Sequence, residues 1–206
     1  MKYFTFYIIL ATAGFSIAAF QNTTLMARYQ FNAYMIHHRN QWYRFVSHAF
    51  LHADWSHLII NMLVLYFFGL NVENSLRFFF DGYSTILFLL LYFGGIVAAS
   101  ATTYFKHKDD YSYNSVGASG AVSALLFSSV VFDPWNKIYL YGIIGLPGIA
   151  WALIYVGYSY YMGKKQNDNI NHDAHLWGGV FGLVFTLIID FEIADRFFKL
   201  LSNPQF

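Results

Sequence analysis

The sequence predicts an all-α membrane protein, six transmembrane helices bundled in one domain over residues 1–206. Three observations carry this expectation. Of 206 residues, 57% are hydrophobic and only 11% are charged. Soluble domains carry roughly 25% charge, so this chain lacks the charge to cover a water-facing surface. The charges it has fall in short clumps, and between them lie uncharged runs close to the ~20 residues that cross the hydrocarbon core of a bilayer.

The spans are expected at about Tyr3–Met26, His57–Val72, Tyr83–Phe105, Val116–Phe132, Ile138–Met162 and Ala174–Ile189. The first follows Lys2 and has small residues near Ala18–Ala19, features shared with a cleaved signal peptide. Its run is longer than a signal core, and we read it as a retained span. The second and sixth are short and need polar neighbours to complete them. A long connection, Gln21–Ser56 with its loop at about 27–56, holds Arg28, Arg39 and Arg44 and can fold as a structure of its own. A net charge of +1 without a basic cluster argues against nucleic acid, and the absence of cysteine excludes disulfides and thiolate metal sites.

Helix parity is informative. The second, fourth and sixth spans cross in one direction, so their N-terminal ends meet at one face. His52 and His57, Ser119, and His175 lie at those three ends. Absolute orientation follows less directly from charge. With a cytoplasmic N-terminus, the outer loops hold seven Lys and Arg against five inside, so the positive-inside bias leans toward the opposite insertion.

Three stretches bear chemistry, each with a structural alternative. In HAFLHADWSHLIINM, His57 and Asn61 are spaced i, i+4 and share a helix face. Either they donate hydrogen bonds to a ligand, or they bond to neighbouring helices as structural glue. His48 and His52 are also i, i+4 and could form a metal pair, but no HExxH occurs and no carboxylate has a ligand spacing to them. In Gly117-Ala118-Ser119-Gly120, the serine is either packing or a nucleophile, placed where helix N-terminal N–H groups favour developing negative charge. In NHDAHLWGGVFG, His175 heads a stripe of Gly178, Gly179 and Gly182 on one face. The fourth span has its own small stripe around Ser119. Two such stripes allow close backbone approach, which directs a histidine at a serine as base and nucleophile. No acid stands where it could serve as a third member: Asp173 is on a different face from His175. The economical reading is a Ser–His dyad.

Together these motifs resemble the rhomboid family of intramembrane serine proteases, in its basic six-helix bacterial form. The matching pieces are Gly117-Ala118-Ser119-Gly120, the Ala174-His175-x-x-Gly178-x-x-x-Gly182 pattern, and the His48-xxx-His52-xxxx-His57-xxx-Asn61 region. The resemblance implies Ser119 as nucleophile and His175 as general base. It implies an oxyanion hole of His57, Asn61 and the Ser119 backbone N–H, with Gly117, Gly120, His52, Gly178 and Gly182 in support. It also implies an extracytoplasmic active site in the bacterial inner membrane, no cofactor or metal, and substrate helices of membrane proteins as partners alongside the lipid bilayer. The 27–56 connection, with Tyr43-Arg44, resembles the family's membrane-embedded first loop, and Glu73 with Arg77 a structural polar contact.

Two departures stand out. Some members carry a tyrosine one turn after the nucleophile that stacks on the base; here that position is Ser123, so another group must hold the His175 ring. Members often have Trp-Arg where this chain has Tyr43-Arg44. Ile138–Met162, with Gly145, Pro147 and Gly148 mid-run, is the candidate moving helix, and Gly163–Asn171 a candidate cap. The alternatives are a catalytically silent rhomboid-like binder of membrane helices and a His-lined metal transporter.

Overall fold

The computed structural model describes residues 3–140, 143–165 and 170–204. Its helices are α1 (Phe4–Phe20), α2 (Thr23–Tyr29), α3 (Ala33–Arg39), α4 (Arg44–Ser47), α5 (Trp55–Phe80), α6 (Ser84–His107), α7 (Ser119–Phe132), α8 (Gly148–Lys165), α9 (His172–Ile188) and α10 (Phe191–Ser202). A two-stranded hairpin, β1 (Lys137–Leu140) and β2 (Ile144–Pro147), precedes α8. Side-chain caps mark several helix starts. The Asn22, Asn32, Asp54, Asn171 and Asp190 side chains each accept a first-turn N–H, satisfying donors that the helix cannot.

The second run is completed by its polar neighbours. α5 extends over 26 residues, about 39 Å at the α-helical rise, past the polar residues at which the apolar run ends. Those residues find partners on α1. Glu73, only 3% exposed, accepts the Phe4 N–H at 2.7 Å, so a carboxylate caps the positive end of α1. Asn74 accepts from the Tyr3 hydroxyl at 2.9 Å, and the Arg77 guanidinium lies 4.2 Å from the Tyr3 ring centre. A single 3-10 turn at Asp81–Tyr83 then separates α5 from α6, and the two helices pack together.

Other boundaries also move. α1 ends at Phe20, because Asn22 starts α2. The fifth run opens as a hairpin, with Ile138 opposite Leu146 and Tyr139 opposite Gly145. Its Ile, Tyr and Leu residues suit a strand as well as a span, and the helix begins only after Pro147. The Trp151 indole N–H donates to the Ile138 carbonyl at 2.9 Å, seating α8 on the hairpin. α10 has no counterpart among the expected spans. It is amphipathic, burying Ile193 and Phe197, and bends 111° away from α9.

The bundle is built around α7, which buries 12 of its 14 residues and makes its most extensive contact with α9. Among the described residues, the helical stretch Trp55–His107 is long and apolar enough to cross a membrane. α9 and α10 meet that criterion only as a bent pair, and α1 and α7 are shorter apolar helices.

Candidate functional site

Ser119 is the first residue of α7, and the first connection fixes the segment before it. Phe31 and Ser115 exchange backbone hydrogen bonds at 2.9 and 3.1 Å, and the Gly117 N–H donates to the His48 carbonyl at 3.0 Å. Asn32 donates to the Tyr111 carbonyl at 3.0 Å. The connection itself is stapled by Arg44, which is 5% exposed. Its guanidinium donates to the carbonyls of Ala27 and Gln30 and to the Gln41 side chain.

Gly117 is required twice over. Its φ is +126°, a backbone state that L side chains rarely adopt. A Cβ there would also lie 2.8 Å from His57 Cε1 and 3.0 Å from His57 Nε2, with Ser119 Oγ at 3.9 Å. The space left by the missing side chain is thus where the His57 ring and the Ser119 hydroxyl approach one another.

α9 brings His175 to the same place. Its start is tied to α6 by Asn171, whose amide donates to Thr103 Oγ1 at 2.9 Å while its oxygen caps the Ala174 N–H at 3.0 Å. A Cβ on Gly178 would clash with the Gly120 carbonyl, and one on Gly182 with the Ala124 carbonyl. A Cβ on Gly120 would clash with Ala99 and lie 3.7 Å from the carbonyl of Ala174, the residue before His175. The glycines of both helices therefore set the α7–α9 separation at the level of Ser119 and His175. The His175 ring lies parallel to Tyr155 of α8, with centroids 6.0 Å apart and planes at 22°. Tyr155 in turn shares a 2.6 Å hydrogen bond with the Ser123 hydroxyl.

His57 and Asn61 stand one turn apart on α5. His57 Nδ1 accepts a long hydrogen bond of 3.5 Å from the Ala53 N–H, which leaves the proton of the neutral ring on Nε2. Asn61 donates one of its two amide hydrogens to the His57 carbonyl at 2.9 Å. His57, Asn61, Ser119, Ser123, Tyr155 and His175 all line one open cavity of about 1170 Å³. Asp54 is at its rim. The Ser56 hydroxyl and His57 N–H hold the Asp54 carboxyl below the usual carboxylate range.

His52 is fully buried and lies outside that lining. Its Nδ1 pairs with Ser16 Oγ of α1 at 2.9 Å, and its ring meets the His57 ring edge-on at 4.9 Å. His48 pairs through Nε2 with Ser100 of α6 at 3.0 Å. The two rings are engaged on different helices, and the segment joining them is a 3-10 turn followed by extended Leu51, not the α-helix that an i, i+4 pair requires. Burial holds both neutral, pushing His48 down to about 4 and His52 to about 3 from the ordinary 6.5. Asp173 pairs with Lys106 at 3.3 Å. Among the described residues, His37, His38 and Asp109 could bring ligand atoms within 4.8 Å of one another, but all three are exposed. Of the proposed cap, residues 166–169 lie outside the described residues, while Gly163, Ile170 and Asn171 border the cavity.

Tyr155, Asn171, Thr103 and Asn32 were not among the residues the motifs singled out. Asn171 had a local signal, an asparagine immediately before a helix. Tyr155 had none, being one of 17 tyrosines.

The fold and site define a helical protein with a cavity at the ends of apolar helices into which several polar side chains face. Residues 39–190 match the Rhomboid domain family model, and the chain belongs to the rhomboid family, whose members are integral membrane proteins. It is 31% identical over 199 residues to Rhomboid-like protein 11, chloroplastic, of Arabidopsis thaliana, covering 89% of this chain and 64% of that protein. It is 28% identical to the putative rhomboid protease YdcA of Bacillus subtilis (strain 168), over 72% of this chain and 67% of that protein. With the rhomboid protease AarA of Providencia stuartii it shares 24% identity, over 76% of this chain and 59% of that protein. The chain spans less than two thirds of the length of two of these relatives, 64% for the Arabidopsis protein and 59% for the Providencia protein.

Proposed function

We propose that this chain is an intramembrane serine endopeptidase that cleaves transmembrane or juxtamembrane segments of membrane proteins with a Ser119–His175 dyad. The observation that carries the proposal is the shared cavity: Ser119, His175, His57 and Asn61 come from three helices and line one space. His175 takes the Ser119 hydroxyl proton as the oxygen attacks the scissile carbonyl, then gives it to the leaving amine. Water, activated by the same ring, releases the acyl group. The oxyanion is met by His57 Nε2–H, the second amide hydrogen of Asn61 and the Ser119 N–H, which has no i−4 carbonyl at the start of a helix.

In this reading α1, α5, α6, α7, α8 and α9 are six membrane crossings, and the site opens to the extracytoplasmic face. At 14 residues, α7 rises only about 21 Å, roughly 9 Å less than the hydrocarbon core. A short central helix recesses Ser119 below the membrane surface, and the open cavity supplies the water that hydrolysis consumes. A helical substrate hides its carbonyls in its own hydrogen bonds, so segments with glycine, which unwind more readily, are favoured. α8 is the element whose displacement would admit a substrate.

A fluorophosphonate probe tests the assignment on the purified protein. Labelling is expected in the wild type and is lost in Ser119→Ala and in His175→Ala. Labelling unchanged in Ser119→Ala would remove the nucleophile, and an unlabelled wild type would favour a silent binder of membrane helices.

A further inference from the structure

The position one turn after Ser119 is a serine, and a ring from another helix occupies the space beside the base. We infer that Tyr155 of α8, anchored by the Ser123 hydroxyl, is the positioning residue that holds the His175 ring in its working orientation. The inference rests on the dyad reading proposed above.

Three contacts define the arrangement. The Tyr155 and His175 rings are nearly parallel, 22° apart with centroids at 6.0 Å, within the range of offset-stacked aromatic pairs. The Tyr155 hydroxyl is 2.6 Å from Ser123 Oγ, and Phe127 meets the Tyr155 ring edge-on at 5.9 Å. Ser123 and Phe127 both lie on α7, spaced i, i+4, so they grip the tyrosine from one face of that helix. Ser123 is 3% exposed, and a larger side chain there would occupy the place that Tyr155 fills. The serine is thus the complement of a tyrosine contributed by another helix.

On its own helix His175 has an edge-on ring neighbour, His172, with centroids 5.9 Å apart, and Tyr155 adds a parallel ring face. The residues below it on the same face are Gly178, Gly179 and Gly182, which carry no side chain to pack on the ring. Asp173 is committed to Lys106. Tyr155 joins α8 to α7 through a hydrogen bond and to α9 through a ring face, so a shift of α8 would move the group that steadies the base.

The test combines rate and spectroscopy on the purified full chain. Fluorophosphonate labelling of Ser119 is compared in the wild type, Tyr155→Phe, Tyr155→Ala and the exchange variant Tyr155→Ala/Ser123→Tyr. The His175 ring resonances, identified by their loss in His175→Ala, report the ring current of a stacked neighbour without requiring activity. Tyr155→Ala is expected to slow labelling by about 10-fold or more, the scale on which a displaced reacting group costs rate, and to remove the ring-current shift. Tyr155→Phe keeps the ring but loses the hydrogen bond to Ser123, so its rate and ring shift are expected to fall between those of the wild type and Tyr155→Ala. The exchange variant, which returns a ring to the base from α7, recovers rate and shift together, a recovery that a merely structural role does not produce. Should Tyr155→Ala fail to fold, Tyr155→Leu fills the space without an aromatic face and replaces it. Wild-type labelling rate and ring shifts in a folded Tyr155→Ala or Tyr155→Leu would overturn the inference and leave the dyad standing. A wild type that shows the ring shift but no Ser119-dependent labelling would overturn the dyad reading, and this inference with it.

Discussion

Gly117 shows how much one residue can be asked to do. Its positive φ turns the chain into α7, its missing side chain admits the His57 ring, and its N–H is held by the His48 carbonyl. Holding an alanine in a left-handed conformation costs roughly 1–2 kcal/mol, and the new methyl group would push His57 from the cavity. Gly117→Ala is therefore expected to lower the rate of fluorophosphonate labelling by about 100- to 1000-fold, in the range of losing one oxyanion donor, while the protein still folds by its melting profile. Unchanged labelling would mean that His57 is not needed where the structure puts it. The motif around Ser119 was legible in the sequence, because residue type and spacing both point to a serine at a helix start. Tyr155 was not. It meets His175 from 20 residues away on another helix, and no local pattern distinguishes it from the aromatics that line the rest of α8.

At the scale of elements, the glycine stripe is the part most directly readable. His175, Gly178, Gly179 and Gly182 share a face by helical period alone, and that face packs on the backbone of α7. Helix limits were harder, for physical reasons. α5 continues through Glu73 and Arg77 because α1 supplies their partners, which a hydropathy reading of α5 cannot include. The hairpin before α8 is hidden in an apolar run, since aromatic and branched residues serve strands and spans alike. α10 escapes a search for long apolar runs because its buried face is narrow. The close approach of α7 and α9 gives a paired expectation. Gly178→Ala, where a Cβ would clash with the Gly120 carbonyl, should destabilise the protein by about 1–3 kcal/mol or more through overpacking. Gly157→Ala on α8, where nothing lies within 4 Å, should be neutral or stabilising by up to about 1 kcal/mol through helix propensity. Melting curves of the two variants in the same detergent check this, and equal behaviour would refute the packing role of the stripe.

At the scale of the molecule, parity gathers the polar residues at one level and the bundle encloses them. The second, fourth and sixth apolar runs correspond to α5, α7 and α9, and their starts carry His57, Ser119 and His175 around one cavity. The first connection, stapled by Arg44, closes the side of the site next to Gly117, and Glu73 ties α1 to α5 at the far end. The activity proposed for this assembly is hydrolysis of a peptide bond within the membrane. It is tested most directly by placing the purified chain in lipid vesicles with a reporter protein whose single transmembrane helix contains a glycine-rich stretch. The reporter is expected to be cut within or beside that helix by the wild type and left whole by Ser119→Ala and His175→Ala. Cutting that persists in Ser119→Ala, or an intact reporter with a wild type that binds it, would contradict it.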